Sequence, residues 1–301
     1  MLGIAGPVEN NKVTITNVPG WEEIVGETMA DDLRKTIPNF STFDIINDFA
    51  AAGLGVACIS PNDVIPVNDV TADPNGVRIV TGPGTGYGQA FLVKSSFGNC
   101  YEVYPCEGGH VDFPARSQED FELMQFAYTF VETSENIENQ RGKCKPTRMS
   151  IERLCAGPAI PLIYEFYKTK YPEQERTLES GADSKRTNDI ESKDIVTAAF
   201  RANPDFLCRK TIEKFAEILA VEVGNHALKT LPFGGVFLVG GVTAGISDLI
   251  LKDKRFIELF CAKGRIESTM KRIPVFFVKP EVELGLLGAE EQAFRRYKVF
   301  A

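Results

Sequence analysis

Short apolar runs alternate along this chain with segments of helical period, and that alternation limits the fold more than any other feature. Phe43–Ile46 runs into Asn47-Asp48 and then into the small, alanine-rich segment Phe49–Cys58. Further on, "GGVFLVGG" at 234–241 is an apolar run held between glycine pairs. It follows a long stretch, 205–229, whose apolar residues at 212, 215, 216, 219 and 223 keep helical spacing. Strands that feed helices in this order predict α/β architecture. Leu2–Ala5 and Lys12–Thr16 read as strands about a Pro-Val-Glu-Asn-Asn turn, and Trp21–Ile37 as a helix. Val77–Val80 and Gln89–Lys94 read as strands on either side of the glycine-rich loop 81–88. Ser117 is placed to cap a helix with apolar residues at 123, 126, 127, 130 and 131. The polar segments 132–149 and 170–193 read as surface loops or insertions.

Composition narrows the function classes. A length of 301 residues suits one large or two medium domains. A net charge of −8 argues against a broad nucleic-acid or membrane surface, although it does not prevent local phosphate binding. The seven cysteines are scattered, with no C-x-x-C pair, as expected of reduced thiols in the cytoplasm. No apolar run is long enough to span a bilayer.

Five stretches can carry chemistry. "TGPGTGYG" (81–88) brings backbone N–H groups within reach of an anion, or serves only as a hairpin loop. It is neither a Walker A loop, since no lysine follows, nor G-x-G-x-x-G, since position 87 is Tyr. "IINDFAAAG" (45–53) delivers Asn47 and Asp48 to a strand's carboxyl end, where α/β ligand crevices form. Asp48 there can accept a proton from a hydroxyl, with the following helix favouring its ionised form, or the pair can simply cap that helix. "YPCEGGHVDF" (104–113) offers two readings. Cys100, Cys106 and His110 would make an incomplete zinc site at unusual spacings. Glu107 and His110, on a backbone opened by Gly108-Gly109, would instead read hydroxyl groups. "SIERLCAGPAI" (150–160) puts Glu152 at a helix start capped by Ser150. "FGGVFLVGGV" (233–242) ends a buried strand in paired glycines, which suits either a flat ligand or tight packing. The chain's second histidine, His226, falls on the apolar side of the 205–229 helix and reads as a packed core residue.

Together these stretches carry a resemblance. AGPV (5–8), INDF (46–49), GPGTGYG (82–88), CEGGHVDF (106–113), ERLCAGPA (152–159), GGVFLVGGV (234–242) and LGLLGA (284–289) occur in the order of one family. The chain resembles the bacterial-type ATP-dependent glucokinases, two-domain sugar kinases of the actin-like, ribonuclease H-like fold. The resemblance implies a small α/β domain from residues 1–57 and 285–301, and a large one from 58–284. It implies that Asp48 is the general base on the 6-hydroxyl of glucose. Asn47, Glu107, His110 and Glu152, with Asp48, would hold the sugar. Gly82, Gly84, Thr85 and Gly86 would form a phosphate loop for ATP, and Gly240 and Gly241 would lie on its nucleoside side. Magnesium would arrive with ATP rather than in a protein cage, and a homodimer is compatible with the family.

One departure counts against full activity. The family's first phosphate loop, D-x-G-G-T, is not among these residues, and the chain begins where the family is several dozen residues in. The expectation is an N-terminally truncated chain with an incomplete small domain and impaired ATP turnover. A non-catalytic sugar-binding or regulatory protein is the alternative that such a chain permits.

Overall fold

The computed structural model describes residues 1–4, 6, 8–14, 23–96, 100–133, 148–176, 179–180, 183–184 and 190–297. The chain opens with short strands β1 (Leu2–Ile4), β2 (Val8–Glu9), β3 (Lys12–Val13) and β4 (Ile24–Val25). Helix α1 (Gly26–Arg34), strand β5 (Ile45–Asn47) and helix α2 (Asp48–Cys58) follow. β1 and β5 pair in parallel, while β2, β3 and β4 form a small antiparallel sheet. The helix expected over 21–37 starts only at Gly26. Ile24 and Val25 commit their backbone to β3, and the ladder wins over helical period. The strand expected over 43–46 is shifted to 45–47 by its register against Leu2–Ile4. Ala5, Pro7, Thr16 and Trp21 lie outside the described residues.

The next strands are β6 (Val64–Pro66), β7 (Arg78–Pro83), β8 (Tyr87–Lys94) and β9 (Tyr101–Cys106). After them come α3 (Gln118–Thr133), α4 (Ala159–Lys170), the two-residue strands β10 (Glu179–Ser180) and β11 (Asp183–Ser184), α5 (Ser192–Ala199) and α6 (Phe206–Thr230). The chain continues with β12 (Gly235–Leu238), α7 (Gly241–Gly245), α8 (Ser247–Leu251), α9 (Lys254–Cys261), α10 (Glu267–Met270), β13 (Val275–Val278) and α11 (Leu284–Tyr297). Ser117 caps α3 as its sequence suggests, its hydroxyl accepting from the Asp120 N–H at 3.1 Å. Asp205 does the same for α6 through the Cys208 N–H at 2.9 Å. Residues 134–147 of the polar segment 132–149, and 177–178, 181–182 and 185–189 of the segment 170–193, lie outside the described residues.

Six strands form one mixed sheet in the order β6-β13-β12-β7-β8-β9. Alternation along its strands sorts two cores. Ile79, Val236, Leu238 and Val275 face a large cluster built with α4 and α6, and Val80, Ala90, Leu92 and Phe237 face the opposite one with Val56 of α2. Helices therefore cover both faces, as the α/β reading requires. On the second face α11 returns against α2 so closely that a Cβ on Gly288 would overlap the Ala51 carbonyl. Among the described residues no helix is long and apolar enough to cross a membrane.

Candidate functional site

Strand direction gathers the site. β7, β12 and β13 run parallel, and β9 shares their direction because both β7 and β9 are antiparallel to β8. The ends at Pro83, Cys106 and Leu238 therefore meet at one edge of the sheet, the edge where ligand crevices form in α/β proteins.

At that edge the glycine-rich loop is tighter than expected. The β7–β8 ladder continues through Gly82↔Gly88 and Pro83↔Tyr87, so only residues 84–86 turn, rather than the whole of 81–88. The Gly84 N–H donates to the Gly86 carbonyl at 2.7 Å, and Gly84 and Thr85 are exposed. Gly240, at φ +98°, adjoins the Pro83 carbonyl, and Gly82 leaves no room for a side chain beside the Val239 carbonyl. Gly82, Gly84, Thr85, Gly86, Gly240 and Gly241 thus sit on adjoining turns, with open space around Gly84 and Gly241.

Glu152 reaches the same place. It lies in a 3-10 turn, Ile151–Arg153, not in an α-helix, and the Ser150 hydroxyl makes no capping bond there. What positions it instead is a pair of tethers: the Ile151 N–H donates to Val111 at 2.8 Å, and the Gly157 N–H donates to Gly84 at 2.8 Å. Its Oε2 accepts the Tyr87 N–H at 2.9 Å and stands against Gly86 and Gly109.

The 104–113 stretch leaves β9 and forms a 3-10 turn over Gly108–His110. Glu107 and His110 are exposed, with His110 Nε2 3.7 Å from Glu107 Oε2. Arg148 donates to the His110 carbonyl and pairs with Asp112 at 3.1 Å, which gives Asp112 a structural partner. The zinc reading fails on distance. Cys100 and Cys106 stand at opposite ends of β9, about 20 Å apart at the strand's rise. Burial also pushes the Cys106 thiol up, away from the thiolate that a metal binds.

Asn47 and Asp48 divide the tasks left open above. Asn47 is the cap of α2, its side chain accepting from the Ala50 N–H at 3.0 Å and donating to the Gly6 carbonyl at 3.1 Å. Asp48, the first residue of the helix, is half-buried and accepts from the Phe49 N–H at 2.9 Å. Its carboxyl is raised above the ordinary aspartate range, because desolvation outweighs the N–H groups that favour the anion. The N–H groups at the helix start do favour the anion, but burial is the larger effect. The Phe49 ring packs on Gly88, where a Cβ would overlap it, and so ties the start of α2 to the glycine turn. Among the described residues no hydrogen bond joins Asp48 to Glu107, His110 or Glu152.

A glucokinase family profile matches residues 1–295. A glucokinase from Synechocystis is 34% identical over 295 residues, covering 96% of this chain and 77% of its own length. The chain belongs to the glucokinase family. Solved structures agree on the fold of these sugar kinases. A glucokinase from an Antarctic psychrotroph superposes with a TM-score of 0.72 at 24% identity, covering 97% of this chain and 79% of its own. A ROK-family glucokinase from Streptomyces griseus, solved with glucose and AMPPNP, gives 0.59 at 17%, covering 96% and 79%.

The sequence reading of this glucokinase-family chain missed Tyr87, whose backbone N–H holds Glu152, and Ser192, whose hydroxyl donates to the Gly157 carbonyl at 2.8 Å. It also missed Gln89 and Glu222, which meet at 3.4 Å beneath the 107–110 turn. Gln89 had a readable signal, a polar residue at a buried strand parity beside Tyr87. Ser192 had none, because its partner is 35 residues away. His226 is a packed core residue, as its spacing suggests, with Nδ1 lacking any hydrogen-bond partner.

Proposed function

We propose that this chain transfers the γ-phosphate of ATP to the 6-hydroxyl of glucose, with Asp48 as general base. The observation that supports the reading best is the meeting of Glu152, the Gly84–Gly86 turn and the 107–110 turn at one sheet edge. In this reading Glu107, His110, Glu152 and Asn47 bind and orient the sugar hydroxyls. Gly82, Gly84, Thr85 and Gly86 approach the phosphates, and Gly240 and Gly241 the nucleoside. The site residues and the division into 1–57 with 285–301 and 58–284 belong to this proposal.

The chemistry asked of these groups is modest. Phosphoryl transfer depends mainly on positioning and charge stabilisation, so the base has only to accept the hydroxyl proton as the bond to phosphorus forms. Asp48 suits that role because it stands half-buried at the head of α2 and is raised by burial. Magnesium enters with ATP as part of the substrate, neutralising its phosphates. The described cysteines are free thiols, which supports a reducing, cytoplasmic setting, and a homodimer is compatible with the reading.

Calorimetry with glucose, alone and then with an ATP analogue, tests the proposal together with glucose-dependent ADP release. Binding of both ligands and ADP release are expected. Glucose binding without nucleotide binding would transfer the case to a non-catalytic sugar-binding protein.

A further inference from the structure

A buried polar chain lies under the turn that carries Glu107 and His110, and nothing above uses it. Gln89 pairs in the ladder with Cys106, the last strand residue before that turn. Its side chain is only 3% exposed, and its Oε1 lies so close under Gly108 that a Cβ there would overlap it. The other end of the amide, Nε2, donates to Oε1 of Glu222, which is 1% exposed on α6. Glu222 Oε2 accepts from Asn225 at 3.1 Å, and Asn225 Oδ1 accepts from Lys263 Nζ at 2.7 Å. Lys263 also donates to the Val221 carbonyl at 2.9 Å, which closes the chain on α6.

A carboxamide has one donor end and one acceptor end. The carboxylate of Glu222 takes the donor end, so the oxygen of Gln89 must face the turn. Without Glu222 the amide keeps only its contacts with the Cys106 thiol and the Tyr87 hydroxyl, and Gly108 then rests on an amide less firmly oriented. We infer that Glu222, acting through Gln89, is a positioning residue for the Glu107–His110 turn, setting the height at which those two side chains meet a hydroxylated ligand. The link to a ligand rests on the sugar-site reading above; the link to the turn does not.

Hydrogen exchange of the backbone read by mass spectrometry, with no sugar present, tests the turn directly. Glu222→Leu should speed exchange in peptides covering 106–111 by about tenfold, and Glu222→Gln, which still accepts from Gln89, should restore it. Glucose affinity should weaken in Glu222→Leu by about tenfold while the KM for ATP stays within a factor of about two. Gln89→Met makes the same test should Glu222→Leu fail to fold. Unchanged exchange at 106–111 in a folded variant would overturn the inference. Faster exchange in a protein that binds no glucose would uphold the positioning role and remove the sugar reading instead.

Discussion

Asp48 and His226 show how burial sets the behaviour of single residues here. Burial raises the Asp48 carboxyl, and only the ionised form can accept a proton. The acid limb of kcat/KM is therefore expected above the pKa of a solvent-exposed aspartate, about 3.9. Asp48→Asn should lower kcat by at least about a hundredfold. A pH–rate profile on the parent and steady-state assays on the variant check both. His226 is buried on α6 and its pKa is lowered to about 4 by desolvation. A folded-state value below the unfolded one gives stability that is complete above about 6.5 and is lost as pH falls toward 4, up to about 3 kcal/mol. His226→Leu removes that titration and an unpartnered buried nitrogen, so its melting temperature should fall less between pH 7 and pH 5. An unchanged slope in melting scans would contradict this. His226 was legible from helical spacing alone. The ionisation of Asp48 was not, because its burial depends on packing that the local sequence does not encode.

At the scale of elements, the α2–α11 crossing holds the start of α2 over the sheet. Gly288 faces the Ala51 carbonyl with no space for a Cβ, so the two backbones touch. Gly288→Val should separate the helices and cost about 1–3 kcal/mol, measured as a lower urea midpoint, with weaker turnover because Asp48 stands at the head of α2. A neutral midpoint would mean that the crossing adapts. Element types were largely readable: α3 runs from the expected cap, α6 covers nearly the expected 205–229, and the glycine-flanked apolar run at 235–238 is a central strand. The errors fell where distant partners decide. β4 took residues from an expected helix, because β3 paired with it, and the β7–β8 ladder shortened the glycine turn to 84–86. Glu152 sits in a 3-10 turn set by contacts to Val111 and Gly84, segments that no local pattern connects to it.

For the whole molecule, the motif order and the sheet edge lead to the same reading. GPGTGYG, CEGGHVDF and ERLCAGPA are far apart in sequence, yet strand direction and two tethers bring them together. Gly240 adjoins the same turn through the Pro83 carbonyl. The 295 matched residues span 77% of the Synechocystis glucokinase. The central claim is glucose phosphorylation with Asp48 as base. Glucose 6-phosphate formation by the purified chain and by Asp48→Asn, with glucose affinity measured on both, tests it most directly. The account predicts product from the parent, a loss of at least about a hundredfold in the variant, and glucose binding in both. Product formed equally by the variant, or no glucose binding by the parent, would contradict it.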